Sequence, residues 1–329
     1  VQAEKYQEKK SIRFVIPEPR AIADIVDQIP EVAAYTFRGQ AFSLISSKDR
    51  TYGVVVTGID PQKEAAVSRI KKLVQAGNFL AADDVNQALV GNLLAKNLRV
   101  SIGDELTLLG QGRDGSIGAS VVQVKGIFRS GIDEFDRSAM QIPLSTIQDI
   151  FSMEKAVHEV VVIGKSLSDV PRIKAQLQAA LAVLNNGKPL KTLDWQELMP
   201  GLRQAIEMDL VSGLIMYLVL ILVVAFSILN TFLMAIFERT REFGVLMAIG
   251  TTPERLVRLM LAESAVMTLI GVAAGILLGT GVTLYFQAYG IDLAGASEIL
   301  EHYGISGRIY PKLSWLSTFL GPAMVLVVT

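Results

Sequence analysis

The sequence has no cysteine and only two histidines in 329 residues. The first absence excludes disulfides, thiolate nucleophiles and cysteine-ligated metals, and with them most redox chemistry. His158 and His302 stand alone without an H-E-x-x-H pattern, so they read as solvated or hydrogen-bonded side chains rather than ligands. No G-x-x-x-x-G-K-[ST] occurs, so the chain carries no P-loop for ATP, and no nucleophile and base share a catalytic spacing. Excess charge is lacking too: 31 Lys and Arg against 32 Asp and Glu leave a net charge of -1, which gives no electrostatic reason to expect nucleic acid. The opening "VQAEKYQEKKSIRFVIPEPR" has neither the apolar core of a signal peptide nor a span of its own.

Apolar residues are plentiful, at 51% of the chain against 19% charged, with a mean hydropathy of +0.42. Residues 210–237 form a run of about 28 without a charge, and residues 264–286 a second of about 23, each enough to span a ~30 Å hydrocarbon core. A third run starts at Trp315 and reaches Thr329 after roughly 15 residues, short of the ~20 a span needs. The expectation is a membrane domain over 195–329 whose last helix is cut and whose first lies upstream.

Residues 1–194 read instead as a mixed domain. Strand-like runs fall at 52–59, 104–109, 119–128 and 158–164. Between them Ala66, Val67, Ile70, Leu73 and Val74 share one helical face, as do Ile173, Leu177, Ala180, Leu181 and Leu184. This order predicts an α+β domain, layered rather than a sandwich, joined to an α-helical transmembrane domain. Residues 195–209 stay helix-compatible around Pro200 and Gly201, so one stalk helix is expected to run into the first span. Residues 287–314 read as a loop.

Between the first two runs lies "FERTREFGVLMAIGTTPERL". Gly250 can end one helix, Thr252 cap the next, Pro253 occupy its first position and Glu254 complement its dipole. Phe243, Leu246 and Met247 share a face of the short helix before the break. Arg239, Arg241, Arg255 and Arg258 flank it, while the 287–314 loop offers Arg308 and Lys312, so the hinge is expected on the cytoplasmic side and the large domain outside. Physics alone leaves a snorkelling loop and a partner-docking element equally open.

The stretch "ERTREFGVLMAIGTTPERLVRLMLAESAVMTLIGVAAGILLG" resembles the FtsX-like permease domain of MacB-type (type VII) ABC transporters. That resemblance implies an E-R-T-R-E-x-G-x-x-x-A-x-G coupling element, matched by Glu238, Arg239, Arg241, Glu242, Gly244, Ala248 and Gly250 with Pro253 after it, which seats on a cytoplasmic ATP-binding subunit. The segments "VVVTGIDPQKEAAVSRIKKLVQAGNFL", "LVGNLLAKNLRVSIGDELTLL" and "VKGIFRSGIDEFDRSAMQIPL" resemble the periplasmic domain of LolC/LolE lipoprotein-releasing permeases. Together these imply a multi-pass inner-membrane protein with four membrane helices, paired with a second, identical or different permease subunit and with ATPase subunits that bind ATP and Mg²⁺. The chain itself is then non-catalytic and needs no cofactor, and its further partners are membrane lipids, lipoprotein cargo or a periplasmic carrier. In the carrier-recruiting subunit of that family a hook separates two strands where this sequence has only "GQGRDGSIG", so a LolE-like subunit or a homodimeric relative fits better. A drug or peptide exporter and an FtsX-like scaffold that activates a cell-wall hydrolase are the alternatives.

Three further patterns bear on possible sites. Gly110, Gly112 and Gly115 have a G-x-G-x-x-G spacing, but the sequence after them continues as strand, which favours a hairpin turn. Asp133, Glu134 and Asp136 do not match an EF-hand loop. Gly271, Gly275 and Gly279 form a ridge suited to close helix packing, in runs that carry no ionisable residue of the kind ion pathways use.

Overall fold

The structure, a computed structural model, describes residues 1–48, 50–183, 189–292 and 308–328. Among these, residues 1–200 and 201–328 belong to two separate units. The first contains strands β1 (Gln2–Ala3), β2 (Val32–Ser47), β3 (Arg50–Ile59), β4 (Val74–Gly77), β5 (Gln87–Gly91), β6 (Glu105–Gln111), β7 (Ile117–Phe128), β8 (Ala139–Pro143), β9 (Glu159–Gly164) and β10 (Leu190–Lys191). With them are helices α1 (Tyr6–Lys9), α2 (Pro19–Val26), α3 (Pro61–Val67), α4 (Asn92–Leu98), α5 (Asp133–Ser138), α6 (Leu144–Ile150), α7 (Val170–Val183) and α8 (Trp195–Leu198).

The sixteen-residue β2 organises the sheet, because its first part, 32–38, pairs with β9 and its later part, 43–46, with β6. β3 then pairs with β2 and β8, β8 with β5, β5 with β7, and β7 with β6, so six strands form a closed hydrogen-bonding circuit. Closure leaves these strands without an open edge. Period-two patterning turns one side of β2, β3, β6 and β7 inward, where Ala41 and Ile45, Val54 and Val56, Leu106 and Leu108, Val122 and Val124 are all buried, while β5 and β8 are buried on both sides. Leu94 and Leu98 of α4, Ile147 of α6 and Phe151 just after it complete that core. A second core forms where Ile22 and Val26 of α2 and Ile173, Leu177 and Leu181 of α7 cover Val160 of β9. The expected strands are present, and the α7 face is as read up to Leu181; Leu184 lies outside the described residues.

Two helices differ from expectation. The face through Ala66 and Val74 is not one helix: α3 stops at Val67, Ser68 turns extended (φ -112, ψ 152), a 3₁₀ turn covers Ile70–Leu73, and Val74 begins β4. Pairing of Val74 with Phe128 and of Gly77 with Gly126 outweighs the helical periodicity there. The stalk is also interrupted. α8 ends at Met199 (φ -126, ψ 67), and the long helix starts afresh with Pro200, whose ring suits a first turn and not an interior.

The second unit holds α9 (Pro200–Glu238), α10 (Thr240–Ala248), α11 (Pro253–Tyr289) and α12 (Trp315–Val328), with a short pair β11 (Ile291–Asp292) and β12 (Arg308–Ile309). α9 and α11 are long and apolar enough to cross a membrane. Most of the expected 287–314 loop lies outside the described residues.

Candidate coupling site

The elbow between α9 and α11 is built by local backbone chemistry. Arg239 leaves the helical region (φ -97, ψ 7), yet its N–H reaches the Ala235 carbonyl at 3.2 Å and its own carbonyl accepts the Phe243 N–H at 3.1 Å. It therefore closes one ladder and opens the next. α10 ends with Gly250 at φ +104, the Gly250 N–H on the Met247 carbonyl and the Thr251 N–H on the Leu246 carbonyl, both at 3.0 Å, which is a Schellman arrangement. A Cβ at Gly250 would meet nothing within 4 Å, so glycine is needed for the backbone angle and not for space. Pro253 takes the first position of α11, as expected. Thr252 is extended (φ -71, ψ 145), but its hydroxyl caps nothing. The missing N–H of Pro253 removes one orphan donor, and the first-turn charge of Glu254 suits the helix dipole instead.

The expected residues Glu238, Arg239, Arg241, Glu242, Gly244, Ala248, Gly250 and Pro253 all fall on this exposed elbow. Arg239 and Glu242 approach each other, with Nε 3.5 Å from the carboxylate, and Arg241 has no ion-pair partner among the described residues. Glu254 and Arg258 pair along α11 at 2.7 Å. One residue was not anticipated: Glu263, whose two carboxylate oxygens both accept from Nη1 of Arg239 at 3.1 Å. In the sequence it shows only as an acid one residue before an apolar run. Behind this pair lies a crevice of about 310 Å³ between α9 and α11, whose lining includes Phe232, Phe243, Met260 and Met267. Of the apolar face expected on α10, Phe243 turns into the crevice while Leu246 and Met247 stay exposed.

Gly271, Gly275 and Gly279 line up on α11, and a Cβ on any of them would meet nothing within 4 Å. Within this chain the ridge borders open crevices, one of about 450 Å³ reaching Ile228 and Pro322. Close approach occurs elsewhere: the Tyr217 hydroxyl of α9 lies against Gly321 of α12, where a Cβ would sit.

Residues 3–180 match the family model of the MacB-like periplasmic core domain. The chain belongs to that family. Residues 214–329, which contain the elbow, match the FtsX-like permease C-terminal model. The lipoprotein-releasing system transmembrane protein LolC of Xylella fastidiosa is 25% identical over 243 residues, covering 71% of this chain and 57% of that protein. LolE of Haemophilus influenzae is 24% identical over 297 residues, covering 84% and 68%. The periplasmic region of MacB from Actinobacillus actinomycetemcomitans superposes with a TM-score of 0.43 at 15% identity, covering 62% of this chain and 88% of that one. The chain thus spans little more than half the length of the LolC protein it matches.

Within the MacB-like domain the other candidates have structural explanations. The glycine-rich stretch is the β6–β7 hairpin: the Gly112 N–H donates to the Ser116 carbonyl at 2.8 Å, Gly115 sits at φ +91, and Asp114 accepts from the Ser116 hydroxyl. Those bonds with Ser116 hold the Asp114 carboxyl below its usual range. In the acidic group, Asp136 is buried and accepts the N–H groups of Ser130 and Gly131, whereas Asp133 and Glu134 are exposed. Among the described residues no three metal-ligating side chains cluster. His158 is fully buried and hydrogen-bonded, and His302 lies outside the described residues. Just before the long helix, Asp194 and Glu197 form a capping box on α8, and both pair with Lys174 of α7. The hydrogen bond to Glu197 raises the Lys174 pKa and lowers that of Glu197. This clamp fastens α8, the domain's last turn, to α7, and side chains so far apart in sequence gave no signal of it.

Proposed function

We propose that this chain is a permease component that takes motion from a cytoplasmic ATP-binding partner at the α9–α10–α11 elbow and delivers it to an extracytoplasmic domain that releases lipoprotein from the inner membrane. The observation that carries this reading is the elbow itself, where Glu238 ends α9, Arg239 stands at the break and the short α10 bears Arg241 and Glu242 between two apolar helices. The FtsX-like match over this element favours a partner-docking role above a snorkelling loop. ATP and Mg²⁺ belong to the partner, because no P-loop occurs in this sequence. The arginines at the elbow, Arg239, Arg241, Arg255 and Arg258, favour its cytoplasmic placement. The open glycine ridge suits a helix from a second permease subunit. The lipoprotein assignment rests on the named LolC and LolE relatives.

Arg241→Glu and Gly250→Leu are expected to abolish co-purification with the cognate ATPase or its stimulation, while the chain still accumulates in membranes. Normal co-purification and stimulation in both variants would overturn the coupling role. Depletion is expected to leave lipoproteins in the inner membrane. Unchanged sorting with altered drug sensitivity would point to an exporter, and hydrolase activation with no translocated substrate to a scaffold.

A further inference from the structure

We infer that Glu263 is a positioning residue for coupling: its ion pair with Arg239 ties the start of the elbow to α11 a second time, so that displacement of α10 reaches α11 through a side-chain link as well as through the turn at residues 250–252. This rests on the coupling role proposed above.

The placement of charge supports it. Glu254, Arg255 and Arg258 occupy the first turns of α11, and Glu263 is the last charge on that helix, about 15 Å along it from Pro253. The apolar run follows at once. A carboxylate at such a boundary is costly without a partner, and Arg239 is its only ion-pair partner among the described residues. Arg239 is in turn fixed by geometry: its backbone joins the α9 and α10 ladders, its Nε faces Glu242, and its Nη1 is shared by both Glu263 oxygens. One residue therefore links three helices, its backbone joining α9 to α10 and its guanidinium reaching Glu242 of α10 and Glu263 of α11. Beside it lies the crevice between α9 and α11, and among the described residues Arg239 and Glu263 form the ion pair that joins the elbow to α11.

In water a pair with both side chains about half exposed, 50% and 49%, contributes little stability. Its value is geometric, which makes its loss separable from unfolding and from partner docking, since Arg241 and the exposed Val245 of α10 and Ile249 just after it remain in place.

The native absence of cysteine allows spin labels at Phe237→Cys on α9 and Leu261→Cys on α11, both exposed positions, in the full chain with its cognate ATPase. A narrow distance distribution is expected in the parent. Glu263→Gln should broaden it and lower permease-stimulated ATP hydrolysis about fivefold or more, with co-purification retained. Exchanging the charges, Arg239→Glu with Glu263→Arg, should restore the narrow distribution. If Glu263→Gln leaves both distribution and stimulation unchanged, or the exchange fails to restore the distance, the inference is wrong. If the parent neither binds nor stimulates the ATPase, the coupling reading fails instead, and the distance measurement still reports on the link.

Discussion

Acidification from pH 7 to pH 5 is expected to weaken the MacB-like domain through His158. Its Nδ1 accepts the Gln40 N–H at 2.9 Å and its Nε2 faces the Ile12 carbonyl at 3.2 Å, so the neutral tautomer protonated at Nε2 satisfies both. The Tyr6 ring covers the imidazole at 5.0 Å, and the Tyr6 hydroxyl donates to the Gln40 side chain at 2.7 Å. A second proton would face the Gln40 N–H in a site closed to water. Burial, with Lys10 and Arg113 adding positive charge, pushes the His158 pKa down to about 4 against the pull of the Ile12 bond. Because the folded pKa lies below the unfolded 6.5, this contribution is complete above pH 6.5 and is lost as pH falls toward 4. Over the interval from pH 7 to 5, at about 1.36 kcal/mol per proton per pH unit, the loss comes to about 2 kcal/mol. The assay is urea unfolding of residues 1–199, which carry their own cores, at several pH values, for the parent and His158→Leu. The variant should be less stable at pH 7 by about 1–3 kcal/mol, since it strands the Gln40 N–H and Ile12 carbonyl. Its gap from the parent should then shrink by about 2 kcal/mol at pH 5. Parallel profiles would refute the argument.

Glu64 is fully buried in a bidentate pair with Arg38, at 2.6 and 3.1 Å, that fastens α3 to β2. Glu64→Ala should cost about 3 kcal/mol in denaturant unfolding, and Arg38→Met with Glu64→Leu distinctly less, because no charge is stranded. At Gly91 a Cβ would run into the main chain of Asp136, which cannot swing aside, so Gly91→Ala should cost about 1–3 kcal/mol by the same measurement. Gly275→Leu should leave accumulation of the chain unchanged, since the space there is open, and should reduce co-capture of two differently tagged copies; undiminished co-capture would remove the ridge from the subunit interface.

The chain's division of labour was legible without coordinates, because it depends on composition and period. Uncharged runs long enough to span a bilayer, alternation in β3, β6 and β7, and a Gly-Thr-Thr-Pro break are properties of neighbouring residues, so α9, α11 and the elbow could be read directly. What failed was a periodicity with two readings: Ala66 through Val74 fits a helix, but Val74 finds Phe128 across a sheet, and only the fold brings that partner near. The same reason hid the closed circuit of six strands, in which β2 meets β6 and β3 meets β8 across long separations in sequence. It also hid Glu263, which pairs with an arginine 24 residues earlier. Sequence alone determined which segments suit water, membrane and the bend between them, since those are local preferences. Tertiary structure decided which charges meet, because an ion pair depends on how two helices are turned toward each other.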